Sequence, residues 1–235
     1  MVQEFDVAVV HFVNQFVGQS MIFDKVVAEV FMLPLFRGAV IASIVCWAYF
    51  SKYQRIINSS LDWPRIMLGT VLAIAISRLM QNYFPVRLRP RHDPALDFIL
   101  PANVRIEQLR DWGSFPSDHG VLFGALALAV YFLDRRLGWV AIGWTILVIL
   151  LPRIYTGAHY PSDVVAGALI GGLIMAGVWL LPSPQSLQRT LLYLEGHHKG
   201  VVVAALFLFL YFSSTLFSDV RGLVNLLPEF LDLSG

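Results

Sequence analysis

The chain has 235 residues, of which 57% are hydrophobic and 14% are charged, and its mean hydropathy is +0.67. Because soluble domains carry about 25% charged residues, this composition excludes an ordinary soluble protein and indicates an integral membrane protein. The net charge of +1 and the lack of a basic block argue against nucleic-acid binding, and the one cysteine excludes an intramolecular disulfide.

The first 31 residues have an amphipathic pattern. Phe5, Val9, Phe12 and Phe16 recur at helical spacing, but polar and charged side chains occur among them too often for a membrane span. The pattern predicts one or two amphipathic helices within 1–31 that lie in the membrane interface or pack against the rest of the protein.

A series of apolar segments follows, at about 32–50, 66–83, 117–133, 137–152, 161–181 and 200–217. Several are shorter than the roughly 20 residues that cross a hydrocarbon core, so polar residues at their ends must belong to the helices. The pattern predicts an all-α, polytopic transmembrane helix bundle of about six spans. It forms a single domain over 1–235 that ends in a surface segment at 218–235. Arg37, near the start of the first span, is expected to snorkel.

Basic residues are concentrated in the loops on one predicted face. The loops at 51–65, 134–136 and 182–199 alternate onto that face, which the positive-inside rule assigns to the cytoplasm. The loops at 84–116 and 153–160 then lie outside. The longer of these two is also rich in arginine, which indicates that its arginines have a use other than setting the topology.

Three polar motifs stand at the ends of the apolar segments: Arg87-Leu-Arg-Pro-Arg-His92, Ser114-Phe-Pro-Ser-Asp-His119 and Arg153-Ile-Tyr-Thr-Gly-Ala-His-Tyr-Pro-Ser-Asp163. Ionisable groups at the edge of a membrane helix are costly unless they are paired or have a function. All three motifs lie on the predicted outer face, so the sequence predicts one site assembled there.

The residue types in these motifs suit a tetrahedral oxyanion, because guanidinium groups bind phosphate oxygens in a bidentate manner. Ser117 is a predicted helix N-cap, and the free backbone N–H groups at such a helix start add anion donors. Asp163, four residues after His159, can accept the proton of one imidazole nitrogen and leave the other as nucleophile or base. His119 is then available to protonate a leaving oxygen. No carboxylate cluster resembles a magnesium site, so neither a metal nor a cofactor is predicted.

The order of these motifs resembles that of the type 2 phosphatidic acid phosphatase superfamily of membrane phosphatases. The matching elements are Arg89-Pro90, then Pro116-Ser117-Asp118-His119, then Arg153 with His159 and Asp163. The resemblance covers a core from about residue 66 to 181. The third motif is the specific one, because all three of its residues occur at the right spacing beside an apolar segment.

The resemblance implies that His159 attacks phosphorus and forms a phosphohistidine, with Asp163 orienting it. It implies that His119 protonates the departing group and then activates water. The phosphoryl oxygens would be held by side chains of all three motifs: Arg89, Arg153 and Ser117. The implied substrate is a lipid phosphomonoester or pyrophosphate, such as undecaprenyl diphosphate, phosphatidic acid or phosphatidylglycerophosphate. The small size resembles bacterial members, which implies a bacterial inner membrane with the site on its periplasmic face.

Two positions depart from the family pattern. The family has a lysine seven residues before the arginine of Arg-Pro, and here that residue is Asn82, so Arg87 or Arg78 would have to supply the phosphate-binding charge. The glycine of the second motif is Asp118 here, which would repel a phosphate unless an arginine neutralised it. The candidate partners of this carboxylate are three arginines of the same loop: Arg87, Arg91 and Arg110.

Two alternatives to lipid phosphate hydrolysis stay open. The same phosphohistidine could pass its phosphoryl group to an acceptor lipid such as lipid A, which would make the protein a lipid phosphotransferase. The altered first motif would also fit a non-catalytic lipid-binding or transport protein of the membrane that keeps the pocket and binds its ligand without turnover. For a lipid phosphatase and for a lipid phosphotransferase, the expected partners are the bilayer and a lipid phosphate.

Overall fold

The computed structural model describes residues 2–33, 35–53, 62–102, 104, 113–182 and 185–214. All regular secondary structure in these ranges is helical, which confirms the predicted all-α class. The N-terminal elements are α1 (Val2–Asn14), α2 (Met21–Lys25, continued by a π-helical turn over Val26–Val30) and α3 (Val40–Tyr53, preceded by a π-helical turn over Leu35–Ala39). The predicted surface segment at 218–235 lies outside the described residues.

The central helices follow in chain order. They are α4 (Asp62–Tyr83), α5 (Asp118–Leu133), α6 (Arg135–Trp144), α7 (Leu151–Tyr155), α8 (Pro161–Leu180), α9 (Gln185–His197) and α10 (Lys199–Ser214). A π-helical turn over Thr145–Leu150 joins α6 to α7, so these form one continuous helix. Two short 3₁₀ turns, Pro90–His92 and Pro94–Leu96, lie in the loop between α4 and α5.

Three of the described helices are long and apolar enough to cross a membrane: Asp62–Tyr83, Arg135–Tyr155 and Pro161–Leu180. A fourth span results if Met21–Val30 and Leu35–Tyr49, which are bent by 66° at their junction, form one broken span. Asp118–Leu133 and Gly200–Ser213 are apolar but shorter. The membrane helix bundle is therefore confirmed, whereas the expected number of about six spans is not.

The N-terminal 31 residues divide into two parts. The amphipathic helix α1 packs against α7 and α8, and Phe5 and Phe12 on its other side are exposed. Residues 21–30 form the first arm of the bent pair with 35–49, and their place in the membrane interface stays a prediction.

Helices α5 and α8 form the centre of the bundle and approach each other through glycines. A Cβ atom at Gly171 would lie 1.8 Å from the carbonyl oxygen of Val121, and one at Gly124 would lie 2.5 Å from that of Ala168. Only glycine permits backbones to come this close. The close contact brings the first turns of the two helices together, where the polar motifs begin.

The polar motifs lie at one end of the bundle. The side chain of Gln81, at the end of α4, donates to the carbonyl oxygen of Pro116 at 2.9 Å, just before α5 begins. The backbone N–H of Ser117 donates to the carbonyl oxygen of Asp163 at 3.1 Å, in the first turn of α8. At the opposite end, Arg65 in the first turn of α4 donates to the carbonyl oxygen of Leu181, just beyond α8, at 3.2 Å. The assignment of these two ends to membrane sides stays a prediction.

Candidate active site

The structure brings the predicted site residues of all three motifs to one place between α4, α5, α7 and α8. Ser117 and His119 lie at the start of α5, and Ser117 is its N-cap, as predicted, since its Oγ accepts from the N–H of Gly120 at 3.3 Å. The charged and polar site residues with less than a tenth of their surface exposed are Arg89, Ser117, His119, Arg153, His159 and Asp163. Polar groups buried to this degree need partners or a ligand.

The ring of His159 has a defined proton position. Its Nδ1 lies 2.8 Å from the carbonyl oxygen of Ser114, and because a carbonyl only accepts, Nδ1 carries the proton. The lone pair is therefore on Nε2, which lies 3.1 Å from Nη1 of Arg89. Burial, followed by the charge of Arg89, lowers the pKa of His159 well below its usual value. The imidazole is thus neutral at neutral pH, as a nucleophile requires.

A tight turn aims this histidine into the site. Gly157, two residues earlier, has φ of +64°, a conformation that favours glycine. A Cβ atom there would also lie 2.7 Å from the ring of Phe98. The conformation and the close neighbour together explain why this position of the third motif is glycine.

Asp163 contacts a different group from the one that the spacing predicted. Its carboxylate accepts from the Oγ of Ser114, from the N–H of Tyr160 at 2.9 Å and from Nη1 of Arg87 at 2.5 Å. The carboxylate turns back onto the first turn of its own helix because the free N–H of Tyr160 lies there. Asp163 therefore holds Ser114, and the carbonyl of Ser114 holds His159, so the expected direct aspartate–histidine bond is replaced by an indirect one.

Arg87 pairs with carboxylates at both ends of its guanidinium group. Nη1 contacts Asp163 at 2.5 Å, Nη2 contacts Asp6 at 2.6 Å, and the group lies 4.0 Å above the ring of Tyr160. The prediction that Arg87 binds phosphate in place of the family lysine does not fit this arrangement, because two carboxylates already neutralise its charge.

Asp6 is a site-supporting residue that the sequence reasoning missed. It lies on α1, is fully buried, and accepts from the backbone N–H of Ser162 at 2.9 Å and from its hydroxyl at 2.5 Å. Eighty-one residues separate it from Arg87, and no motif spacing connects them. The two carboxylates Asp6 and Asp163 together hold Arg87 against the start of α8.

Arg89 and Arg153 supply buried guanidinium groups next to His159. Arg89 donates to the carbonyl oxygens of Ala158 at 2.7 Å and of Gly113 at 3.0 Å, and burial lowers its pKa from the usual value. Nε and Nη2 of Arg153 are buried and have no hydrogen-bond partner among the described residues. Buried donors of a charged group left without a protein acceptor indicate an anion-binding position.

The carboxylate of Asp118 pairs with Arg78, which is not one of the three arginines proposed from the sequence. One carboxylate oxygen lies 3.4 Å from Nη2 of Arg78, and the other accepts from Nδ1 of His119 at 2.9 Å and from its backbone N–H at 2.8 Å. Arg78 lies on α4, and through Asp118 it contacts the first turn of α5. Arg87 contacts other carboxylates, and Arg110 lies outside the described residues. The negative charge is thus held by a cation and by the second histidine of the site.

Arg37 also reaches the site, contrary to the expectation that it snorkels. Its Nη1 lies 2.7 Å from Nε2 of His119, because the bend before α3 turns this segment inward. Asn82, the position of the family lysine, is exposed. Eighty-two residues separate Arg37 from His119, so the sequence pattern could not connect them.

Metal ligands are not grouped in the part of the chain that the structure describes: no set of three or more His, Cys, Asp or Glu side chains there could hold an ion. The chemistry that the site offers is that of two imidazoles among guanidinium groups. Group transfer through a covalent histidine intermediate uses three components: a neutral histidine, buried donors for an anion, and a second histidine paired with a carboxylate.

Comparisons with known proteins identify the family of the chain. The family model described as PAP2 superfamily matches residues 63–186. The bacitracin transport permease protein BcrC of Bacillus licheniformis is 30% identical over 139 residues, which cover 58% of this chain and 62% of that protein. The lipid A 4'-phosphatase of Bacteroides thetaiotaomicron is 31% identical over 163 residues, which cover 62% and 66%.

A third relative, the undecaprenyl-diphosphatase of Sulfolobus acidocaldarius, is 26% identical over 109 residues, which cover 46% of this chain and 50% of that protein. The chain thus spans between half and two thirds of the length of these relatives. No solved structure matches the chain significantly.

Proposed function

Because the chain belongs to the PAP2 superfamily, we propose that it is an integral-membrane lipid phosphatase that works through a phosphohistidine at His159. One observation carries this proposal: the Nε2 lone pair of a neutral, buried His159 lies beside the guanidinium of Arg89. The buried donors of Arg153 that have no hydrogen-bond partner among the described residues support it, because a phosphoryl group is the anion that such donors would bind.

In the first step, the Nε2 lone pair of His159 attacks phosphorus. His119 takes up a proton from solvent on Nε2 when the anionic substrate enters, and so becomes the acid. The bond from phosphorus to the leaving oxygen breaks, its electron pair goes to that oxygen, and the oxygen takes the proton from Nε2 of His119. Arg89, Arg153 and the start of α5 at Ser117 stabilise the charge on the phosphoryl oxygens. The products are a phosphohistidine and the lipid leaving group.

In the second step, water attacks the phosphohistidine. The water gives its proton to Nε2 of His119, the phosphorus–nitrogen bond breaks, and the electron pair returns to Nε2 of His159. Inorganic phosphate is released and both histidines regain their starting states. Asp118 supports His119 in both steps, because a carboxylate at Nδ1 stabilises the protonated imidazole.

Asp163 and Ser114 are positioning residues in this mechanism. When Nε2 of His159 is phosphorylated, the ring becomes cationic and its Nδ1–H still donates to the carbonyl oxygen of Ser114. The hydroxyl of Ser114, held by Asp163, fixes that carbonyl. The ring is therefore kept from rotating, which keeps Nε2 aimed at phosphorus.

The relatives support a lipid as the substrate, since they include an undecaprenyl-diphosphatase and a lipid A phosphatase. An apolar cavity of about 420 Å³ between α5, α6 and α8 supports the same conclusion. Its walls include Gly124, Leu128, Ile146 and Leu173, and it begins about one turn of α5 beyond His119. A hydrocarbon tail would occupy it while the phosphate enters the arginine cluster.

The site would face the outer side of the membrane. The basic loops at 51–65 and 134–136 favour the cytoplasm for the opposite end of the bundle, and relatives from Bacillus and Bacteroides favour a bacterial cell membrane. The substrate head group would then be hydrolysed on the periplasmic or extracellular side.

Phosphate release by purified protein in EDTA tests this function. Undecaprenyl diphosphate, phosphatidic acid and phosphatidylglycerophosphate are offered to the wild type, to His159→Ala and to Arg65→Gln, an arginine at the far end of the bundle. We expect release by the wild type and Arg65→Gln and a loss of at least about 10³-fold in His159→Ala. Release that persists in His159→Ala would overturn the mechanism.

A further inference from the structure

Arg37 enters the site from the N-terminal part of the chain. It lies in the turn Leu35–Ala39, and its Nη1 is 2.7 Å from Nε2 of His119. Its Nε is buried and has no hydrogen-bond partner among the described residues. The guanidinium group therefore has one donor on the second histidine and one buried donor without an acceptor in the described structure.

The hydrogen bonds of His119 define its state without substrate. A guanidinium group only donates, so Nε2 of His119 is the acceptor from Arg37, and Nδ1 carries the proton that it gives to Asp118. Nε2 can be protonated only when Arg37 turns away from it. An anionic oxygen next to both groups would accept from each of them, and thereby allow the imidazole to take up its second proton.

The two histidines define two sides of the reacting phosphorus. In an in-line displacement, the nucleophile and the leaving oxygen are on opposite sides. Arg89 contacts His159 and so belongs to the nucleophile side, whereas Arg37 contacts His119 and so belongs to the leaving-group side.

We propose that Arg37 binds the leaving group, and that this contact makes the site selective for lipid diphosphates over lipid monophosphates. The inference rests on the proposed phosphatase function. When an alcohol leaves, its oxygen needs only a proton. When a lipid monophosphate leaves, its non-bridging oxygens carry negative charge as well, and a guanidinium group is suited to bind them.

With a diphosphate, the terminal phosphoryl group is transferred and the lipid monophosphate is the leaving group. Nε2 of His159 forms a bond to the terminal phosphorus, and the bond from that phosphorus to the bridging oxygen breaks. The electron pair stays on the bridging oxygen, which takes the proton from Nε2 of His119. Arg37 donates to the non-bridging oxygens of the departing lipid monophosphate. Water then releases the phosphoryl group from His159 as inorganic phosphate.

The other arginines near the altered first motif are less suited to this contact. Arg78 contacts Asp118, and Arg87 contacts both Asp6 and Asp163. Arg37 contacts a neutral imidazole, which it can exchange for an anionic oxygen at little electrostatic cost. It therefore supplies a cation that the exposed Asn82 does not.

A matched pair of substrates tests the inference. Farnesyl diphosphate and farnesyl monophosphate have the same tail, and phosphate release from each gives kcat/KM for the wild type, Arg37→Gln, Arg37→Lys and Arg65→Gln. We expect Arg37→Gln to lose about 100-fold on the diphosphate and less than about 3-fold on the monophosphate. The ratio of the two kcat/KM values within one variant does not depend on how much of the protein is folded.

Arg37→Lys retains the charge and should keep a ratio between those of the wild type and Arg37→Gln, and Arg65→Gln should keep the wild-type ratio. Equal losses on both substrates, or no loss on either, would overturn the leaving-group role while leaving the phosphatase proposal intact. A parallel His159→Ala arm separates the two, since turnover of either substrate by that variant would overturn the proposed function itself.

Discussion

Helix α1 contributes one buried carboxylate, that of Asp6, to the hydrogen bonds that support the site. The substitution Asp6→Asn removes the charge with little change in the shape of the side chain. Asp6 accepts from Arg87 at 2.6 Å and from the N–H and hydroxyl of Ser162. Removing one partner of a buried ion pair costs about 3–5 kcal/mol. The side chain of Arg87 is 30% exposed and keeps its contact with Asp163, so solvent screening reduces the expected loss of stability to about 2 kcal/mol.

The same substitution should also reduce turnover. Arg87, Asp163 and Ser114 form a chain of hydrogen bonds that ends at Nδ1 of His159. When Arg87 loses one of its two carboxylates, this chain is held less rigidly and Nε2 is less well aimed. We expect kcat to fall about 10-fold, with little change in KM, because a small misplacement of a nucleophile costs rate rather than binding.

Asp24→Asn is the matched control for this experiment. Asp24 is also a buried N-terminal carboxylate, and it accepts from the N–H of Gly18 at 3.0 Å and from the hydroxyl of Tyr155. It should lower stability, measured as the midpoint of thermal unfolding in detergent, without lowering the kcat of the folded protein. A kcat in Asp6→Asn equal to that of Asp24→Asn would refute the proposed link between α1 and His159.

Three further predictions follow from the geometry. Because the pKa of His159 is depressed in the folded protein, the nucleophile stays neutral below pH 6.5 and kcat/KM should hold there. Arg89→Gln removes a cation that lowers this pKa, so it should move the acidic limb of the pH profile to higher pH. Gly171→Ala would place a Cβ 1.8 Å from the carbonyl oxygen of Val121, so the free energy of unfolding should fall by more than about 2 kcal/mol. Gly177→Ala is the control, because nothing lies within 4 Å of its Cβ position, and it should be neutral or stabilising. Asp118→Gly restores the family residue but removes the carboxylate that contacts Arg78 and His119 Nδ1. Steady-state assays should therefore show kcat reduced about 10-fold rather than raised.

Local spacing was sufficient to predict the residues of the three motifs. The order of arginine, serine, histidine and aspartate around 89, 117–119 and 153–163 identified the family, and the structure brings these residues together in one buried place. The N-cap role of Ser117 was predictable because capping depends on the next three residues alone.

Partners that are distant in the chain could not be predicted in this way. Asp6 is 81 residues from its partner Arg87, and Arg37 is 82 residues from its partner His119. Only the packing of the N-terminal helices brings these residues to the site. The role expected for Asp163 differed because a carboxylate at the third position of a helix competes for the free N–H groups of its own first turn. The expected number of about six spans is not confirmed, because Asp118–Leu133 and Gly200–Ser213 are shorter than the other apolar helices of the described residues.

Trapping the covalent intermediate shows whether His159 carries the phosphoryl group. Protein with His119→Ala is mixed with a lipid substrate labelled at its terminal phosphate, quenched in alkali, and digested for mass spectrometry of the peptide that contains His159. We expect an acid-labile phosphoryl group on His159 and none in His159→Ala. His119 serves both steps, but an anionic phosphate leaving group depends less on an acid than the attacking water depends on a base, so the intermediate should accumulate. A phosphoryl group on another residue, or turnover of the same substrate without any phosphoenzyme, would contradict it.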